Sequence, residues 1–336
     1  YDPTGWQGDG ENADGFGVHY QTDGDTTRFV GCRSWWNSDD GWDVLAQEFP
    51  VVVENCYAMG NGYIEYGTNL PPNVNGNGFK MGPSRNDVGR HIIKNCVAWN
   101  NVATGFYANY SSIGSTWLNN TSYKNGDRSF AMPGRSYDAN GKATTNITVL
   151  MGQDAHVLKN NIAYPNKLSQ IGICSAGEKL EYIVECPAGE NNSWNLEINL
   201  TDDDFVSLED PSMTVTGQDL SNLPGMLGPR NADGSLPDVD FLKLKANSQM
   251  IDKGENVGLP FAGSAPDLGA FEYGMPKSSS SFVESSSSSG TNLLVTNFGG
   301  LVEKFGLADV FDLQGRSLGT LQAEQLRDNV EMAIQR

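Results

Sequence analysis

Basic residues are scarce in this chain: 22 Lys and Arg stand against 41 Asp and Glu, for a formal charge of −19. So acidic a chain lacks the basic face that nucleic acid requires. It also repels a polyanion unless a cation or a local basic cluster intervenes. His occurs 3 times and Cys 5 times, and no Cys pair has CxxC spacing, which argues against a zinc site. No apolar run is long enough to span a membrane. Helix-period stretches are rare before residue 215. There is no initiator Met and no signal peptide at Tyr1, and a repeat begins almost at once. A mature or truncated piece is expected, with earlier coils missing.

Gly is abundant, at 39 residues, and Asn recurs at fixed places. Aligning Phe29–Asn37, Val53–Asn61, Ile93–Asn101, Trp117–Asn125 and Leu158–Asn166 puts Cys32, Cys56, Cys96, Asn120 and Asn161 in one slot. The steps between those slots are 24, 40, 24 and 41 residues. Each copy has an Asn five residues later: Asn37, Asn61, Asn101, Asn125 and Asn166. Short alternating apolar runs with a period in the twenties predict strands of a β-solenoid. The long steps are one coil plus an inserted loop. The three Cys are expected as small core residues, and the Asn as a ladder at a turn. Cys174 and Cys186, outside the repeat, could bridge a loop.

Three segments share a polar–Gly–aromatic pattern: Asp14-Gly15-Phe16, Asp40-Gly41-Trp42 and Asn77-Gly78-Phe79. The position after the aromatic holds Gly17, Asp43 and Lys80. Parallel coils lie about 4.8 Å apart, so equivalent side chains can share a ligand. Stacked, the segments gather Asp14, Asp39, Asp40, Asp43 and Lys80 into one patch. Such crowded carboxylates repel one another unless a cation sits among them. This predicts a hard-cation site beside a candidate base, suited to an acidic polymer. Asn77 belongs to the same row, as a substrate-facing residue or a simple turn residue. Arg85 and Arg90 could grip uronate carboxylates through bidentate bonds, or face solvent. Tyr63, Tyr66, Tyr107 and Tyr110 could stack on sugar rings or pack internally. His19, His91 and His156 show no metal spacing and are expected to be structural or exposed.

Beyond residue 170 the repeat fades. Residues 171–276 are expected to form a C-terminal cap on a β-helix domain spanning 1–276, with clear repeats over 9–170. Residues 277–290 are a Ser-rich linker. Residues 291–336 form a small β-rich module whose Val310–Arg316 stretch resembles the strand-turn-strand of C-terminal sorting modules in bacterial secreted enzymes.

The segments Asn12–Phe16, Ser38–Asp43 and Gly76–Gly82, with the Asn repeat, resemble the active-site regions of family 9 polysaccharide lyases over residues 9 to 170. These are calcium-dependent pectate lyases with a right-handed parallel β-helix. The resemblance implies Ca2+ held by Asp14, Asp39, Asp40 and Asp43, with Lys80 as the base. It also implies a secreted or surface-attached protein, expected as a monomer. Its partner would be an acidic plant cell-wall polysaccharide such as polygalacturonate. The residues leave two other classes open. A calcium-dependent binding solenoid would not need Lys80. A polygalacturonase-type hydrolase would use a carboxylate pair and no metal.

Overall fold

The computed structural model describes residues 12–22, 24–65, 68–69, 75–83, 90–140, 142, 144, 149–165, 171–172, 189–196, 198–214 and 223–275, with two strands further on. Tyr66, Arg85, Asn166, Cys174, Cys186 and the Ser-rich stretch lie outside these residues.

Among the described residues, five coils each contribute one short strand to each of three sheets and a sixth adds strands to the first two, and pairing within all three is parallel. The first sheet runs Phe16–His19, Trp42–Leu45, Phe79–Met81, Phe106–Tyr107, Phe130–Ala131 and Ile171–Gly172. The second contains Val51–Glu54, Ile92–Lys94 and Thr116–Leu118, and the third contains Tyr57–Met59, Val97–Trp99 and Thr121–Tyr123. Parallel coils continue past the predicted repeat, to Gly189–Glu190.

Local sequence sets the corners between sheets. Between the second and third sheets the chain turns through Gly31, Asn55, Asn95, Asn119, Asn160 and Asn191, all at φ between 50° and 60°. This left-handed region is open to Gly and accessible to Asn. The residue after each corner is the repeat slot itself. There Asn120 Nδ2 donates to Asn161 Oδ1 at 3.0 Å, and Asn161 Nδ2 to Asn192 Oδ1 at 2.8 Å. Cys96, Cys56 and Cys32 occupy the earlier rungs, and the Cys32 amide donates to Cys56 Sγ at 3.2 Å. The corner after the third sheet works the same way, through Trp36, Gly60, Asn100 and Lys124. Its ladder runs Asn37–Asn61–Asn101–Asn125, with each Nδ2 donating to the next Oδ1 at 2.8 Å. The ladder satisfies buried amides that no solvent reaches.

Behind the first sheet lies an aromatic stack. Phe16, Trp42, Phe79, Phe106 and Phe130 follow at centroid spacings of 4.8, 4.7, 5.1 and 4.7 Å, near the strand spacing. The glycine before each of the first four rings has a steric reason. A Cβ on Gly41 would meet the Gly78 carbonyl oxygen at 2.5 Å, and one on Gly78 would meet that of Gly105 at 2.6 Å.

The third sheet is covered on both sides. Ala58, Ala98 and Ala163 face the coil interior, while Tyr57, Met59, Trp99, Tyr123 and Tyr164 face outward. Phe205, Met226, Phe241, Leu242, Met250 and Leu268 pack over that outer row. This cover, from residues 196, 198–208, 223–227 and 236–271, thus lies along the outer face of the third sheet. Arg33 ties it down, donating to the carbonyls of Met226 at 3.0 Å and Gly228 at 2.7 Å. A second compact unit contains the antiparallel strands Leu307–Phe311 and Ser317–Gln322. Among the described residues no helix is long and apolar enough to cross a membrane.

Candidate active site

Register builds the site. Phe16 pairs with Trp42 and Trp42 with Phe79, so Gly17, Asp43 and Lys80 fall in one row across the first sheet. Their neighbours in the stack point inward, so this row points outward. Each strand is entered by the polar–Gly pair, which sets Asp14, Asp40 and Asn77 in a second row beside it.

The carboxylates interlock. Asp39 is buried, and its two oxygens accept from the amides of Asn12 at 2.8 Å and Asn75 at 3.1 Å. The amide of Asp40 donates to Asp14 Oδ1 at 3.0 Å. Asp40 Oδ1 accepts from both the backbone and the side chain of Asn77, at 2.7 and 2.8 Å. Lys80 Nζ donates to Asp40 Oδ2 at 2.9 Å and to Asp43 Oδ2 at 3.1 Å. Asp43 Oδ1 is buried with no hydrogen-bond partner.

Oxygens of Asp14, Asp39 and Asp40 lie within 4.8 Å of one another, and Asp14, Asp43 and His19 form a second such group. Asp14 belongs to both. Burial and repulsion from Asp40, Asp43 and Asp39 push its carboxyl up to about 7. Burial likewise lifts Asp40 to about 6, against the pull of Lys80. Burial alone would lower Lys80, but the two carboxylates outweigh it and hold the ammonium well above its ordinary value. The donor set suits a hard divalent cation. Its ligand atoms are carboxylate oxygens, one of them an unpartnered buried oxygen, and their charges repel in the absence of an ion.

Of the residues singled out from the sequence, Asp14, Asp39, Asp40, Asp43 and Lys80 come together here. Asn77 joins them from beneath. It is buried, and its Oδ1 accepts from the Thr104 amide at 3.1 Å. It therefore positions Asp40 rather than facing a substrate. Arg90 is not brought in. Its guanidinium donates to the carbonyls of Ala155, at 2.8 Å, and Gln153, just ahead of the second sheet. Arg85 lies outside the described residues. His19, expected to be structural or exposed, is exposed, and its Nε2 stands 3.7 Å from Asp43 Oδ2. That proximity follows from its place two residues after Gly17, on the same outward face of the strand. His91 and His156 are buried and structural, their Nδ1 atoms accepting from the amides of Val51 at 3.1 Å and Ser115 at 2.9 Å.

Residues 1–146 match a family profile described as a Pel9A-like, right-handed β-helix region. Pectate lyase L of Dickeya dadantii is 37% identical over 273 residues, covering 81% of this chain and 53% of that protein. Pectate lyase L of Paenibacillus polymyxa is 31% identical, covering 74% of this chain and 47% of that protein. The crystal structure of pectate lyase Pel9A superposes with a TM-score of 0.56 at 37% identity, over 79% of this chain and 55% of that one. A rhamnogalacturonan lyase superposes at 0.54 with 28% identity, over 71% of this chain and 54% of that one. The chain spans about half the length of the curated relatives it matches.

Proposed function

Because the chain belongs to the family of Pel9A-like right-handed β-helix proteins, we propose that it cleaves an acidic, polygalacturonate-like polysaccharide by β-elimination, with Lys80 as the base. The observation that carries this reading is the contact of Lys80 Nζ with Asp40 and Asp43. A lysine planted in a carboxylate cluster has a role in proton transfer that a purely binding surface would not need. A carboxylate pair working as hydrolytic acid and base leaves that lysine unexplained.

Asp14, Asp39, Asp40 and Asp43 would hold calcium, which takes six to eight oxygen ligands and so has room for a uronate carboxylate as well. A bound ion supplies Lewis-acid stabilisation of charge growing on that carboxylate, and offsets the negative field that otherwise keeps Lys80 protonated. The protein's own part is positional. The register of the first sheet sets Lys80 one coil from Asp43. Asn77 fixes Asp40, and backbone amides fix Asp39. Neutral Lys80 Nζ takes the proton from C5 of the uronate. The electron pair of that C–H bond becomes the C4–C5 double bond, the C4–O bond breaks, and the leaving oxygen is protonated from solvent. No water is added across the bond.

We assign the protein to the exterior of the cell, where pectic polymers lie. The test is a substrate panel of polygalacturonate, methyl-esterified pectin and rhamnogalacturonan, with calcium or chelator. The reading requires ultraviolet-absorbing unsaturated ends from at least one uronate polymer. Reducing ends without that absorbance would mean hydrolysis, and binding without either would mean a carbohydrate-binding solenoid.

A further inference from the structure

Resting on that reading, we propose that Tyr107, Tyr110 and Arg135 form a second uronate subsite one coil beyond Lys80, in which Arg135 binds the carboxylate of a neighbouring sugar. Tyr107 is the strand-register partner of Lys80 and so continues its outward row. Tyr110 lies against it, ring centroids 6.1 Å apart and edge to face. The Arg135 guanidinium sits 4.6 Å over the Tyr110 ring. All three side chains are half-buried.

Two observations set this group apart from ordinary packing. The first is strain. Asn109 and Tyr110 are consecutive residues at φ 45° and 60°. Asn tolerates that region; a bulky aromatic is uncommon in it, shared here by Tyr20 and by Trp36 at a coil corner, and such strain gathers at turns and ligand sites. The turn is held in place: Asn109 Nδ2 donates to the Gly82 carbonyl at 2.7 Å, and the Tyr137 hydroxyl donates to the Tyr110 carbonyl at 2.8 Å. The second is the state of Arg135. Arg33 and Arg90 donate to backbone carbonyls, and Arg128 pairs with Asp127. Arg135 instead lies over a ring; its Nε, like that of Arg33, is buried and unpartnered. In a chain with 41 acids, an arginine so placed beside the site is suited to a carboxylate brought by the ligand. A tyrosine face under a guanidinium also matches a sugar ring bearing a carboxylate. The cation offsets, at this point, the repulsion between an acidic protein and an acidic polymer.

The test is steady-state kinetics of the full chain on polygalacturonate in calcium, with wild type, Arg135→Gln and Tyr110→Asn. Loss of a charge-assisted bond should raise KM by about tenfold or more for Arg135→Gln, with kcat held within about twofold. On highly methyl-esterified substrate the Arg135→Gln and wild-type values should converge. Tyr110→Asn suits the left-handed backbone, so it should melt no lower than wild type and still raise KM by about threefold or more. It also carries the test if Arg135→Gln does not fold. An unchanged KM in a folded variant, or an equal rise on esterified substrate, overturns the subsite while the lyase reading stands. A wild type that yields no unsaturated product from any uronate polymer overturns the lyase reading instead.

Discussion

Lys80 Nζ lies 3.1 Å from Oδ2 of Asp43, its strand-register partner one coil earlier. The same nitrogen reaches Asp40 Oδ2 at 2.9 Å, so one ammonium is shared by two carboxylates almost wholly removed from solvent. Those charges keep Lys80 protonated, the wrong state for a base. Activity should therefore rise with pH into the alkaline range, and saturating calcium should move the rising limb to lower pH. A pH–rate profile at two calcium concentrations checks this, and superimposable limbs would contradict it.

Calcium should also stabilise the protein in a pH-dependent way. Asp14 and Asp40 have folded values of about 7 and 6 against an ordinary value of 3.8. Between those limits the folded chain binds more protons than the unfolded chain, so without calcium this cluster loses stability as pH rises. Calcium should raise the melting temperature strongly at pH 8 and little at pH 4.5. Asp43→Asn should reduce that shift, and calorimetry measures both.

The Asn ladder should matter more than any surface contact. Asn101→Ala removes the acceptor for Asn61, both amide and side chain, and the donor to Asn125. Each buried donor left unmade costs about 1–3 kcal/mol, so a loss of roughly 3 kcal/mol or more is expected. Denaturant unfolding gives the value, and a loss under about 1 kcal/mol would contradict the ladder's role.

Acid should act through two buried histidines. Burial lowers His91 to about 4 and His156 to about 3, from 6.5. Below pH 6.5 the unfolded chain takes protons that the folded chain refuses. Stability therefore falls with pH across about 6.5 to 4, by about 1.4 kcal/mol per pH unit for each His. His156→Gln should flatten that slope in urea titrations at pH 4.5 to 7.

Much of this was legible in the sequence, because a solenoid turns periodicity directly into position. Phe16, Trp42 and Phe79 stack as their shared pattern requires, and Asp43 and Lys80 follow them into one row. The corner logic was less visible: Asn55 and Asn95 look like more of the same Asn, yet their φ makes them the turn and leaves the next residue to form the rung. Arg90 could not be placed, because its carbonyl partners in 153–155 belong to an inserted loop without a period. The flank cover was hidden for a similar reason. Phe241 and Met226 reach Trp99 and the third sheet from irregular chain, where no spacing reports the contact.

The central claim is best tested on Lys80 itself. The rate of unsaturated product release from polygalacturonate should be measured by ultraviolet absorbance for wild type, Lys80→Ala and Lys80→Arg, with calcium binding followed by calorimetry. A positioned base contributes about 10²–10⁴-fold, so Lys80→Ala should lose at least about a hundredfold in kcat while remaining folded and binding calcium. Lys80→Arg should be nearly as inactive, since a guanidinium does not give up its proton at any working pH. A folded, calcium-binding Lys80→Ala that keeps more than about a tenth of the wild-type rate would contradict the account.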